Sequence, residues 1–228
     1  MCGRFVLITA GKDLAEQFQC EQFTHLEPRY NIAPSQQIAV IRLNPGTRQR
    51  ECGFVKWGLV PAWAKDPSMG SKLINARAES AREKPAFRNA FKRRRCLVIA
   101  DGFYEWKKLG KGKKQPYLFG LKNGRSFAFG GLWERWSSSD GQVVESCAVL
   151  TTDSNALLEA IHDRMPVIVR PNDYAAWLDP EVQKEEVLNK ILQPFPADEM
   201  EGRLVSSRVN KADYEGPDCI EPLTGEEA

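Results

Sequence analysis

The chain has 228 residues, 42% of them hydrophobic and 27% charged, with a formal net charge of +2. A chain of this size buries about 70% of its unfolded surface, enough for one core, and the composition excludes collagen-like, low-complexity and disordered classes. No run approaches the roughly 18 apolar residues of a membrane span, and MCGRFVLITAGKD lacks the basic-then-apolar layout of a secretory signal, so a cytoplasmic protein that does not enter membranes is expected.

Residues 12–20 (KDLAEQFQC) read as an amphipathic helix with Leu14 and Phe18 one turn apart. Residues 36–43 read as a strand ending at the Asn44-Pro45-Gly46 turn, and 50–57 as a second strand running into Trp57-Gly58. Residues 76–94 carry a helical pattern broken at Pro85. Four strands follow at 96–108, 116–122, 126–136 and 143–152, rich in β-branched and aromatic residues and separated by turns that suit hairpins. Residues 154–162 read as a helix capped by Ser154, 171–178 and 180–192 as two more helices, and 203–209 as a last strand. Antiparallel strands with helices around them define an α+β class. With no repeat and no break in composition, one domain over 1–228 is expected, with a flexible acidic tail at about 223–228.

The six cysteines (Cys2, Cys20, Cys52, Cys96, Cys147 and Cys219) are scattered without a CxxC pair, and the two histidines, His25 and His162, form no zinc motif. A reducing compartment, no disulfide framework, no metal and no cofactor are expected. The charge is uneven: 71–114 holds 14 Lys/Arg against 4 Asp/Glu, while 151–228 holds 7 against 17. A basic stripe attracts polyanions such as nucleic acid. On charge alone, a solvated helix and hairpin tip explain it more simply.

Cys2 carries the most chemical information. Methionine before a small residue is commonly trimmed, and Cys2 would then offer an α-amine titrating near about pH 8 beside a thiol at about 8.5. Such a 1,2-aminothiol has two uses. The thiol is a nucleophile with the amine as its base, or the amine condenses with an aldehyde and the thiol closes on the imine to a thiazolidine. A small apolar residue near a chain end is the plain alternative.

Four more segments bear on the choice. They are Trp57-Gly58-Leu59-Val60-Pro61-Ala62-Trp63, Leu73-Ile74-Asn75-Ala76-Arg77-Ala78-Glu79, Ala100-Asp101-Gly102-Phe103-Tyr104-Glu105-Trp106 and Ile161-His162-Asp163-Arg164-Met165-Pro166. With Met1-Cys2-Gly3-Arg4-Phe5, Tyr30-Asn31-Ile32-Ala33-Pro34, Arg208-Val209-Asn210 and Ile220-Glu221-Pro222-Leu223, they resemble the SRAP family (SOS response-associated peptidase-like proteins), in the family's order and over nearly the whole chain.

The resemblance implies a compact SRAP fold: a mixed, largely antiparallel, barrel-like β core with flanking helices. It implies a monomeric sensor of abasic sites in single-stranded DNA, nucleoid-associated when on DNA. Such a protein crosslinks itself through its N-terminal cysteine to the ring-opened C1′ aldehyde as a thiazolidine, shielding the lesion. A peptidase-like autoprocessing that removes Met1 is also implied. By resemblance Cys2, Asn75, Glu105 and His162 form the catalytic set, while Arg4, Pro34, Trp63, Arg77, Thr151 and Arg164 contact DNA.

These residue types suit the roles. A carboxylate and an imidazole are readily tuned to near-neutral pKa values for proton transfer, and Asn75 offers a donor and an acceptor without charge. Each also has a bland reading: paired strand carboxylate, helix-end cap, turn residue. The sequence departs from some relatives at Ala64, where they carry a second tryptophan, and at Pro85, where some carry an arginine that Arg82, Lys84 or Arg88 would have to replace. The run Lys92-Arg93-Arg94-Arg95 is either a phosphate contact or a solvated helix end, and the hairpin tip at 107–114 reads as a solubilising surface. Two other functions compete: an N-terminal-nucleophile hydrolase acting through Cys2, and a noncovalent single-stranded DNA-binding module.

Overall fold

The computed structural model describes residues 2–21, 23, 25–110 and 112–223; residues 224–228, most of the expected acidic tail, lie outside it. Thirteen strands among the described residues form two sheets. In the larger sheet, β3 (Gln37–Leu43), β4 (Arg50–Trp57), β6 (Arg95–Ala100), β9 (Phe127–Ser137) and β10 (Val143–Asp153) close into a five-stranded barrel in the order β10-β4-β3-β6-β9 and back to β10. A ring with an odd number of strands cannot be antiparallel throughout. The parallel pair falls between β4 and β10, and the other four pairs are antiparallel. The fold is therefore α+β with a barrel core, as expected.

The smaller sheet has the order β13-β8-β7-β1-β2, formed by β1 (Phe5–Leu7), β2 (Arg29–Ile32), β7 (Gly102–Lys108), β8 (Lys114–Leu121) and β13 (Met200–Leu204). Aromatic packing joins it to the barrel. Phe5 of β1 lies edge-on to Trp57 and Phe129 at centroid distances of 5.2 and 5.8 Å, and Phe103 of β7 reaches Phe129 at 5.9 Å. Such buried rings contribute large apolar areas and a preferred geometry. They fix the segment just ahead of Phe5, which carries Cys2 and Arg4.

Several local expectations need correction. The single strand expected over 96–108 is two, β6 and β7, split at Asp101. The Asp101 carboxylate accepts from the backbone N–H of Ile8 and Thr9 at 2.6 and 2.8 Å, and this hinge carries the chain from the barrel to the second sheet. The helix expected over 76–94 is reduced to α2 (Ala78–Ala81) and α3 (Arg88–Arg93), while Asn75–Arg77 forms strand β5. Residues 154–162 form hydrogen-bonded turns in place of a helix, organised by Asn155 rather than Ser154: its Oδ1 accepts from Leu157 and Leu158. Residues 180–192 are helical only over Glu185–Ile191, and the strand expected at 203–209 lies earlier, at Met200–Leu204. The helix at 12–20 is present as Gly11–Phe18 with Leu14 and Phe18 buried. No helix among the described residues is long and apolar enough to cross a membrane.

Arg95 answers one question about the basic run. It is buried, and its guanidinium donates to the carbonyl oxygens of Trp177 (2.6 Å), Phe91 (3.0 Å), Val182 (3.0 Å) and Asp179. Burial lowers its pKa to about 10. Arg95 is thus a clamp holding the helical layer onto β6. Arg95→Ala leaves these carbonyls without their donor, at a cost of at least about 3 kcal/mol. Thermal melting should show a Tm drop of roughly 6–12 °C.

Candidate active site

Cys2 is fully buried directly ahead of β1, and its carbonyl accepts from Asn75 Nδ2 at 2.7 Å. That contact depends on how the chain returns from the barrel. β4 gives way after Trp57 to Gly58, whose φ of +124° and close approach to Gly70 leave no room for a Cβ (2.6 Å from the Gly70 carbonyl oxygen). The intervening loop comes back as β5, parallel to β10 in the register Val149↔Asn75, Leu150↔Ala76 and Thr151↔Arg77. β5 thus lies along the same edge of β10 as β4, and its first residue meets Cys2.

Glu105 arrives from β7. Successive side chains of a strand face opposite sides, so Glu105 shares the face of Phe103, which packs into the aromatic core. Its carboxyl is only 3% exposed. Burial pushes its pKa up to about 7. The Cys2 thiol is pushed well above its ordinary value, first by burial and second by the negative charge of Glu105. Cys2 therefore stays a thiol at neutral pH, within electrostatic reach of a carboxyl that titrates there.

His162 follows the turns at 154–161 and is half-buried. Its Nδ1 accepts from the Arg164 backbone N–H at 3.0 Å and also lies 2.9 Å from Asp163 Oδ1. One nitrogen cannot accept from the first and donate to the second at once. Burial holds the imidazole pKa below its ordinary value, so the neutral ring prevails at neutral pH, with Nδ1 accepting and Nε2 carrying the proton. Asp163 becomes the partner only of the protonated ring.

A cavity of about 800 Å³ opens where these elements meet. Arg4, Glu105 and His162 line it, with Trp106, Asn210 and residues of the β7–β8 hairpin. Arg4 is fixed by donating to Asn31 Oδ1 and the Val209 carbonyl, both at 2.8 Å, and its guanidinium lies 5.8 Å from the Trp106 ring centre. Asn31, fully buried, donates in turn to the carbonyls of Lys211 and Tyr214 at 2.9 and 2.7 Å. Trp106 Nε1 donates to Asn210 Oδ1 at 2.6 Å. The support by Asn31, Trp106 and Asn210 is not visible in the sequence, where they stand only as members of the SRAP-like segments; their pairing is purely tertiary.

Three expected DNA contacts share the end of β10. Arg77 is exposed on β5, Thr151 is buried between Arg77 and Pro166 in the strand registers, and Arg164 opens β11 (Arg164–Pro166). Arg164 is already engaged. It donates to both oxygens of Glu79 at 2.9 Å, to Asp153 at 2.6 Å and to the Thr151 carbonyl at 2.7 Å. Thr151 Oγ1 has no hydrogen-bond partner among the described residues.

Trp63 and Pro34 do not line the cavity. Trp63 is 56% exposed, and its Nε1 lies 3.4 Å from the Pro85 carbonyl. Ala64 is buried, with its carbonyl accepting from Trp136 Nε1 at 2.7 Å, so it extends no aromatic platform. Of the cations near Pro85, Arg82 pairs with Glu185 at 3.0 Å, whereas Lys84 and Arg88 are exposed.

A β-barrel core joined to a second sheet thus carries a buried Cys2 held by Asn75 within reach of Glu105, and a cavity that Glu105 shares with His162 and Arg4. The description SOS response associated peptidase (SRAP) matches residues 1–212, and the chain belongs to this family. It is 45% identical over 224 residues to abasic site processing protein YoqW of Bacillus subtilis, covering 97% of this chain and 99% of that one. It is 46% identical over 213 residues to abasic site processing protein YoaM of the same organism, covering 92% and 93%. A protein of Bacteroides thetaiotaomicron of known crystal structure shares the fold, with a TM-score of 0.88 at 24% identity over 98% of this chain and all of that one.

Proposed function

We propose that this protein binds abasic sites in single-stranded DNA and links itself to them covalently through Cys2. The observation that carries the reading is a carboxyl titrating near pH 7 and a neutral imidazole lining one cavity with Arg4, while the Cys2 thiol, buried and not itself lining the cavity, is held through Asn75 within electrostatic reach of that carboxyl. The names of the Bacillus relatives support the lesion as the target.

Hydrolysis of the Met1–Cys2 peptide bond consumes one water, releases methionine and exposes the Cys2 amine. The closed abasic sugar opens when its hemiacetal hydroxyl loses a proton and the ring oxygen gains one; His162, with its proton on Nε2, serves this transfer. The neutral amine attacks the C1′ aldehyde, and loss of water gives an imine. Cys2 Sγ then bonds to the imine carbon. Its proton passes through Glu105 to the nitrogen, closing a five-membered thiazolidine. Starting from the free amine, one water is released overall and nothing is oxidised or reduced. Asn75 holds the Cys2 carbonyl so that the reacting groups keep their place. Arg77 and Arg4 supply positive charge for the backbone, and Trp63 an exposed ring for stacking.

The test mixes the purified protein, its N-terminus verified by mass spectrometry, with a single-stranded oligonucleotide bearing one abasic site. A one-to-one band surviving a denaturing gel, absent with intact DNA, is expected. Repeated release of product would instead favour a hydrolase, and no stable band from a free Cys2 terminus would sink the covalent reading.

A further inference from the structure

The cavity continues past Glu105 and His162 to the β7–β8 hairpin, where Lys108, Lys113 and Lys114 line it together with Gln115. In the hairpin register Lys108 stands directly opposite Lys114, three residues along β7 from Glu105, or about 10 Å at the rise of a strand. Like charges opposed across two strands destabilise the pairing. Among the described residues none of the three lysines has an acidic partner within ion-pair distance, so their charge is left for whatever enters the cavity. The positive charge of Lys108 also reaches His162, helping to lower its pKa. The three lysines are exposed at the rim of the cavity that Glu105 and His162 line, where a polyanionic strand entering the cavity would meet them.

We propose that Lys108, Lys113 and Lys114 form a phosphodiester subsite that grips the DNA backbone on one flank of the lesion sugar. The assignment of the flank rests on the covalent reading above. Arg77 does not line this cavity and stands on β5, beside the barrel rather than on the smaller sheet. The two sets of cations therefore meet different phosphates, so that the strand is held from both sheets with the sugar between. The lysines touch backbone and not the reacting atoms, so they govern affinity; Lys108 bears on the chemical step only through the charge state of His162, which is neutral at pH 8 with or without it.

The test uses the full chain with Lys108→Gln, Lys113→Gln and Lys114→Gln combined, and a second variant with arginine at all three positions. Each lysine neutralising a phosphate of a single strand contributes about 0.7 to the salt slope. The glutamine variant should therefore bind intact single-stranded DNA with a slope lower by about 2, and its deficit against wild type should shrink about fifteenfold between roughly 50 and 200 mM salt. The arginine variant should keep the wild-type slope. At saturating DNA and pH 8, where His162 is neutral in both proteins, the crosslinking rate should be unchanged. The affinity loss should appear for oligonucleotides extending on one side of the abasic site and vanish for those extending only on the other. An unchanged slope, an equal loss on both sides or a slower saturated rate would overturn the subsite. If wild type forms no crosslink yet the glutamine variant loses salt slope, the covalent reading fails and the phosphodiester contact stands.

Discussion

Cys2→Ala should abolish every adduct that survives denaturation, while binding to intact single-stranded DNA stays within about twofold of wild type, as expected for a change that touches no phosphate contact. The substitution removes the thiol and keeps an α-amine once Met1 is cleaved. The imine can still form but has nothing to close on it, and it hydrolyses when the gel denatures the protein. Cyanoborohydride added during the incubation reduces that imine to a stable amine, so a band should reappear with Cys2→Ala under reductant alone. The two lanes separate the roles of the two groups. A stable adduct from Cys2→Ala without reductant would place the covalent bond on another nucleophile. No adduct even with reductant would show that the amine never meets the aldehyde. Because Cys2 is small and buried, its loss of one sulfur costs little packing, and a Tm measurement guards against misfolding as the cause.

The barrel strands were legible because each is a short run of β-branched and aromatic residues bounded by a turn signal, and Leu14 and Phe18 marked the first helix in the same local way. What was hidden depended on partners far along the chain. Nothing in Ala100-Asp101-Gly102 announces a change of sheet; the break exists because Asp101 caps the backbone at Ile8 and Thr9, some 90 residues away. The segment 154–162 has the composition of a helix, but Asn155 ties its first turn and His162 must end where Arg164 can reach its Nδ1. β5 is too short to show a period, and only its pairing with β10 makes it a strand. At the site, Cys2, Asn75, Glu105 and His162 stood out as residue types within distinctive blocks, and the fold brings them to one place. Their supports did not stand out. Arg164 reads as another basic residue until Glu79 and Asp153 are seen on its guanidinium, and the hairpin lysines Lys108, Lys113 and Lys114, exposed as a surface reading expects, also border the cavity.

The engagement of Arg164 gives the site a mechanical logic. Its side chain joins β11 to α2 through Glu79 and to β10 through Asp153 and Thr151, while its backbone N–H sets the His162 tautomer. Glu79 follows Asn75 and Arg77 in the same segment. The ion pair therefore couples the segment of Asn75, which holds Cys2, to His162, to which the proposed mechanism gives the ring-opening proton. Positive charge lowers the pKa of Glu79 against the raising effect of its partial burial, so the pair persists through neutral pH.

Glu105→Gln should separate catalysis from stability in opposite directions. The carboxyl is buried against the aromatic core and titrates at about 7 in the fold, against about 4.3 in an unfolded chain. Between those values the native state holds a proton that the unfolded state has lost, so wild-type stability falls as pH rises from about 4.3 to 7 and stays low above. The gap of nearly three units corresponds to about 4 kcal/mol at its largest. Glutamine is neutral throughout and keeps the shape. The variant should match wild type near pH 4 and gain on it across that window, to a Tm higher by roughly 8–16 °C at pH 8. Chemistry should move the other way. Glu105 must be ionised to accept the Cys2 thiol proton, so wild-type crosslinking at saturating DNA should rise through pH 7. The variant should lack that rise and be slower by about 10²–10⁴-fold. Melting curves and single-turnover gels across pH 5–9 test both halves. A variant that is slow but no more stable at pH 8 would mean that Glu105 is already compensated in the native site. A variant that is less stable at every pH would make the residue a structural one.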